Sequence, residues 1–182
     1  MKILDFREEI ELPEGIVAVK DGNMLTVKTE KNEIQKKFVS PILDLKVENN
    51  KIVLTTNKLT KKEKALVGTF RAHINNMIKG LLEGHHYKLK ICSGHFPMNV
   101  SYNNNVLSIK NFIGEKIPRT LTVNEKVNLK LDGDFITIES VDKELAGQTA
   151  GSIEKLTKRT KFDKRIFQDG IYIVEKNDKK IE

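Results

Sequence analysis

Cysteine occurs once in the 182 residues, at Cys92, so no internal disulfide can staple the chain, and a reducing compartment is the default. Tryptophan is absent and aromatic residues make up only 6%, which argues against a surface that works mainly by stacking on unpaired bases. Apolar runs extend only a few residues, too short for a membrane-spanning helix. The first residues, Met1-Lys2-Ile3-Leu4-Asp5, turn acidic at once and lack the apolar stretch of a signal peptide. Apolar residues total 38%, enough for a modest core that suits two small units. Acidic residues are in deficit: Lys+Arg 32 against Asp+Glu 25 gives a formal charge of +7. These features describe a soluble cytosolic protein whose charge favours an anionic partner rather than a membrane.

The chemistry of an enzyme is also missing. No pair of carboxylates sits in an apolar setting that suits acid–base catalysis. The stretch Gly147-Gln148-Thr149-Ala150-Gly151 falls inside a helical pattern and lacks the Lys of a phosphate-binding loop. Its glycines instead let another backbone, or RNA, approach the helix. Neither a cofactor nor a small-molecule substrate is expected.

What is present repeats. Ile16–Lys20 and Met24–Lys28 flank Asp21-Gly22-Asn23, and Leu43–Val47 and Lys51–Thr56 flank Glu48-Asn49-Asn50, which predicts two hairpins. Thr60 with Glu63 three residues on forms a capping box. Leu66, Val67, Phe70, Ile74, Met77, Ile78 and Leu81 follow at helical spacing, and Gly84 can close the helix. The second half has the same order. Val100–Tyr102 and Val106–Lys110 flank Asn103-Asn104-Asn105, and Lys126–Leu131 and Phe135–Glu139 flank Asp132-Gly133-Asp134. Asp142 then caps a helix whose apolar positions are Leu145, Ala146, Ala150, Ile153 and Leu156.

Leu25-Thr26-Val27-Lys28 and Leu107-Ser108-Ile109-Lys110 match position by position. Val17 aligns with Val100, Leu25 with Leu107, Ile52 with Phe135 and Gly68 with Gly147, an offset near 80 that implies a first-hairpin turn one residue shorter in the second half. Chance recurrence of hairpin signals is the competing explanation. Duplication predicts an α+β fold of two small domains, each an antiparallel sheet packed with one helix, covering 1–82 and 83–182.

The positive charge concentrates in the second repeat. Lys155, Lys158, Arg159, Lys161, Lys164 and Arg165 lie in one stretch with Asp163 as the only acid. A helix precedes this stretch, and the strand-like Ile171-Tyr172-Ile173-Val174 follows it, so its shape is fixed. Such a segment neutralises phosphates and gives salt-sensitive nucleic-acid affinity, whereas its bland reading is a solvated helix end. The two arginines suit phosphate bidentately. No helix-turn-helix, basic zipper or zinc finger is present, which favours folded RNA read by shape and phosphates. Phe162 and Phe167, which flank the stretch, read as core residues.

His85, His86, Cys92 and His95 supply enough groups for a zinc site and, with it, an alternative zinc-dependent enzyme. Against it, Tyr87–Cys92 alternates as a strand, which leaves His86 and Cys92 on one face but roughly 20 Å apart. A basic scaffold for an acidic protein is the other alternative.

Longer motifs carry a resemblance. They are Gly68-Thr69-Phe70-Arg71-Ala72-His73-Ile74-Asn75-Asn76-Met77, His85-His86-Tyr87-Lys88-Leu89-Lys90, Ser93-Gly94-His95-Phe96-Pro97-Met98, Asn111 through Arg119, and Phe167-Gln168-Asp169-Gly170-Ile171-Tyr172. The chain resembles the universal ribosomal protein six of the large subunit, in its archaeal and eukaryotic branch. The resemblance implies two duplicated α+β domains and a structural, rRNA-binding component of the cytoplasmic ribosome, with neighbouring ribosomal proteins as further partners. It also implies a place near the stalk base and the sarcin–ricin loop, where elongation factors act. The family's main rRNA contact maps onto Lys155 through Gln168, with Lys116 and Arg119. Arg71, off the apolar face of the first helix, is a further candidate. Bacterial members end in a Tyr-Lys-Gly-Lys-Gly type segment where this chain has Phe167-Gln168-Asp169-Gly170, a departure that points to an archaeal or eukaryotic source, and the short chain favours archaeal.

Overall fold

A computed structural model of the chain describes residues 6–48, 50–56, 60–160, 162–163, 165–177 and 179–181. The chain divides into two units, Met1–Glu83 and Gly84–Glu182. The first contains β1 (Phe6–Glu11), β2 (Val17–Asp21), β3 (Met24–Lys28), β4 (Glu33–Lys37), β5 (Leu43–Glu48), β6 (Lys51–Thr56) and α1 (Lys61–Leu82). The second contains β7 (His85–Cys92), β8 (Asn99–Asn103), β9 (Val106–Lys110), β10 (Arg119–Thr122), β11 (Asn128–Asp132), β12 (Phe135–Ser140), α2 (Lys143–Leu156), β13 (Gly170–Lys176) and β14 (Lys179–Lys180).

Both helices begin where their caps place them. Thr60 and Glu63 close a capping box, with the Thr60 amide donating to Glu63 at 3.0 Å, and Asp142 accepts the Glu144 amide at 2.8 Å. Glu83 then ends α1, and Gly84 carries a left-handed φ of +76°. Helix α1 buries Val67, Phe70, Ile74, Met77, Ile78 and Leu81, one stripe at helical spacing.

The duplication extends strand for strand. The order β1-β6-β5 returns as β7-β12-β11, and β2-β3-β4 returns as β8-β9-β10, all antiparallel. Among the described residues each unit therefore has two sheets beside its helix, where the sequence suggested one. The unpredicted strands β1, β4 and β10 each add a third strand to a predicted hairpin. Only Ile10 is buried in β1 and only Ile34 in β4, so neither shows a clear alternation of its own. Partner strands, not local propensity, hold them in place.

The register also corrects the sequence alignment. Asp21 pairs with Met24 and Asn103 with Val106, so both turns contain two residues and the second is not shorter. Val17 therefore corresponds to Asn99, not Val100, and both are exposed. Likewise Lys51 closes the turn from Glu48 as Phe135 does from Asp132, so Ile52 corresponds to Ile136. Both of those isoleucines are fully buried. A one-residue slip would move each to the opposite face.

Strands β13 and β14 have no counterpart among the described residues of the first unit. β13 joins the free side of β7, giving the order β11-β12-β7-β13-β14, with Ile171 opposite Ile91. The core of this unit, built from Leu89, Leu107, Ile109, Phe112, Ile136, Ile138, Ile153 and Ile171, thus includes a residue from the added strand. That pairing draws the chain after α2 back to the sheet and gives the intervening basic segment two fixed ends.

Candidate nucleic-acid interface

The segment between α2 and β13 is clamped first at Thr157. Its hydroxyl, almost fully buried, accepts the Ile171 amide at 2.9 Å and so ties the end of α2 to the start of β13. The second clamp is Asp169, whose carboxylate accepts the Gly94 amide at 2.7 Å, the His95 amide at 2.9 Å and His95 Nδ1 at 2.5 Å. Burial pushes the Asp169 carboxyl up, but these bonds outweigh it and hold the group below the usual carboxylate range. In between, the Asp163 carbonyl accepts the amides of Ile166 and Phe167, and its side chain accepts the Arg165 amide. A loop fastened at both ends and folded on itself holds its described cations, Lys158, Arg159 and Arg165, between two fixed points.

Rings continue the scaffold. Phe167 stacks on His95 with centroids 4.7 Å apart, Phe162 meets Phe167 edge-on at 4.9 Å, and the Arg159 guanidinium lies 4.5 Å over Phe162. Phe162 is not the core residue its sequence suggests, since 37% of it is exposed, and Phe167 is half-buried. Beside these rings opens a cleft of about 560 Å³, lined by residues of α2, the basic segment and β13.

The expected contact residues divide. Lys155, Lys158, Arg165, Gln168 and Lys116 are exposed, and no ion pair among the described residues engages the four cations of this group. Arg159 is partly covered, over Phe162 and 3.9 Å from Glu115. Lys161 and Lys164 lie outside the described residues. Arg71 belongs to the other unit, where it is exposed but bridges to Glu8 at 2.8 Å.

Arg119 departs from expectation. Its Nε and Nη2 donate to the two oxygens of Glu115 at 2.7 Å each, its Nη1 donates to the Leu156 carbonyl, and its guanidinium lies 4.4 Å over Phe112. The fork holds Glu115 below the usual carboxylate range. A fork engaged on three sides braces β10 against the end of α2 and offers little to a phosphate. Sequence reasoning missed this because the Leu156 carbonyl is 37 positions away.

The candidate zinc ligands are not brought together. His85 is fully buried and its Nδ1 lies 3.0 Å from the Asn177 side-chain Nδ2, while His86 points to Glu139 at 3.8 Å. His95 is held by Asp169, and Cys92 stands half-buried at the far end of β7. Among the described residues no group of three His, Cys, Asp or Glu side chains converges as a metal site would require.

The family described as ribosomal protein L6 matches residues 12–84 and again 96–170, one copy over most of each repeat. The chain belongs to the ribosomal protein L6 family. Its relatives include the large ribosomal subunit protein uL6 of Methanococcus vannielii, 45% identical over 173 residues and 95% of each chain. The protein of the same name from Methanobrevibacter smithii is 44% identical over 170 residues, 93% of this chain and 96% of its own. Both relatives are archaeal, in keeping with the departure at Phe167-Gln168-Asp169-Gly170. Ribosomal protein L6 is a structural family, so the zinc-enzyme alternative falls. The second matched range contains α2 and the whole basic segment.

Proposed function

We propose that the chain is a structural constituent of the large ribosomal subunit that grips rRNA with the face formed by Lys155, Lys158, Arg159, Arg165 and Gln168, joined by Lys116. One observation carries this reading: the segment is clamped at Thr157 and Asp169, and Lys158 and Arg165 on it, with Lys155 on the last turn of α2, stand exposed with no carboxylate among the described residues engaging them. Rigid cations release condensed counterions from phosphates without first paying to order the loop. Arg119 leaves the contact list and joins the frame that supports it.

The triple variant Lys155→Gln, Lys158→Gln, Arg165→Gln tests the face. Each lost phosphate contact removes about 0.7–0.9 from the slope of log affinity against log salt, so the variant should lose roughly 2–3. An unchanged slope would sink the assignment. The resemblance further supports a position near the stalk base and sarcin–ricin loop, in the cytoplasmic ribosome. Crosslinks from the 155–168 segment in the native particle should then fall in the rRNA of the factor-binding region, and crosslinks confined elsewhere would refute that position.

A further inference from the structure

The cleft beside the basic segment has a composition that phosphate contact alone leaves unexplained. Its walls include Ile113, Phe162, Phe167 and Tyr172, and its cations are Lys155, Lys158 and Arg159. Phe162 and Tyr172 remain 37% and 41% exposed, so their rings are available to a ligand. The acids in the lining are already engaged: Asp169 by His95 and Gly94, and Glu154 by the Ile173 amide at 3.4 Å. What the cleft offers a ligand is therefore flat apolar surface beside Lys155 and Lys158, which no carboxylate among the described residues engages, while Arg159 lies 3.9 Å from Glu115. At about 560 Å³ it falls within the roughly 300–1,000 Å³ of sites that take small organic groups.

Gly151 keeps it open. This helical residue lines the cleft, and a Cβ built there would meet nothing within 4 Å. Gly147, one turn earlier, instead faces the buried Tyr87 ring, with a Cβ falling 3.1 Å from its hydroxyl oxygen. The two glycines thus do different things: Gly147 lets a strand residue pack, and Gly151 leaves room that the protein does not fill.

We infer that this cleft receives one unpaired base of the bound RNA, stacked on the Phe162–Arg159 platform while Lys155 and Lys158 hold its flanking phosphates. Aromatic rings and guanidinium planes are the usual supports for an unstacked base, and they tolerate any base because each has a π-face. The inference rests on the rRNA reading above and adds the chemical group that the cleft takes.

The test uses the full chain and two single-stranded RNAs of equal charge, an adenosine decamer and the same sugar-phosphate decamer without bases. Fluorescence anisotropy should show the wild type binding the adenosine strand about tenfold tighter, the worth of one stacked base. Gly151→Leu, which fills the cleft, should abolish that preference and leave affinity for the abasic strand and the salt slope unchanged. Gly151→Ala, confirmed by its melt, controls for folding, and Phe162→Leu should reduce the preference independently. Equal wild-type affinity for the two strands overturns the inference, as does a preference that survives Gly151→Leu. Failure of the rRNA reading looks different: the abasic strand would then bind without salt dependence or not at all.

Discussion

Replacing Arg119 with Lys keeps the charge and removes the fork, and the two roles open to this residue predict opposite results. In the structure the side chain donates twice to Glu115 and once to the Leu156 carbonyl while covering Phe112. A lysine can keep one of these bonds and cannot stack as a plane. Two charge-assisted bonds are lost, each worth about 1.5–3 kcal/mol when the partner stays buried. The pair is 23% and 28% exposed, so water reaches Glu115 and compensates part of the loss. A net cost of about 2 kcal/mol results, and at about 4–8 °C per kcal/mol for a domain near 100 residues the second unit should melt about 10 °C lower. Urea melts and an RNA salt titration on the same sample separate the roles. Reduced stability with an unchanged salt slope supports the bracing role. Unaltered melting with weakened, less salt-dependent RNA binding would refute it.

Two further perturbations probe the frame. Asp169→Asn should cost about 1–2 kcal/mol near pH 7 through the bonds to Gly94 and His95. Because the folded carboxyl titrates below its unfolded value of about 3.9, its contribution is complete above that pH and disappears as pH falls through the folded value. The stability gap between wild type and variant should therefore close in strong acid, and a gap constant from pH 7 to pH 2 would contradict the assignment. Gly68→Ala, at an exposed site in α1 with nothing within 4 Å of the added Cβ, should stabilise by about 0.5–1 kcal/mol. Gly147→Ala should show no such gain, since its Cβ would crowd the Tyr87 hydroxyl at 3.1 Å. Urea midpoints that moved up equally in both would show that the Tyr87 contact yields freely.

Local chemistry by itself determined a good deal of this protein. Turn residues marked the hairpins, Thr60 and Asp142 marked both helix starts, and apolar spacing marked the buried face of α1, because each signal lies within a few residues of what it specifies. The duplication and the cationic stretch were visible for the same reason. Tertiary structure alone decided which cations are free. Arg119 and Arg159 look alike in sequence, but a carbonyl 37 positions from Arg119 engages the first, and the Phe162 ring supports the second. The Asp169 clamp on His95 spans 74 positions, and the cleft exists only because β13 pairs with β7. Partners so distant along the chain meet only once the sheet closes, and no short-range pattern encodes that meeting.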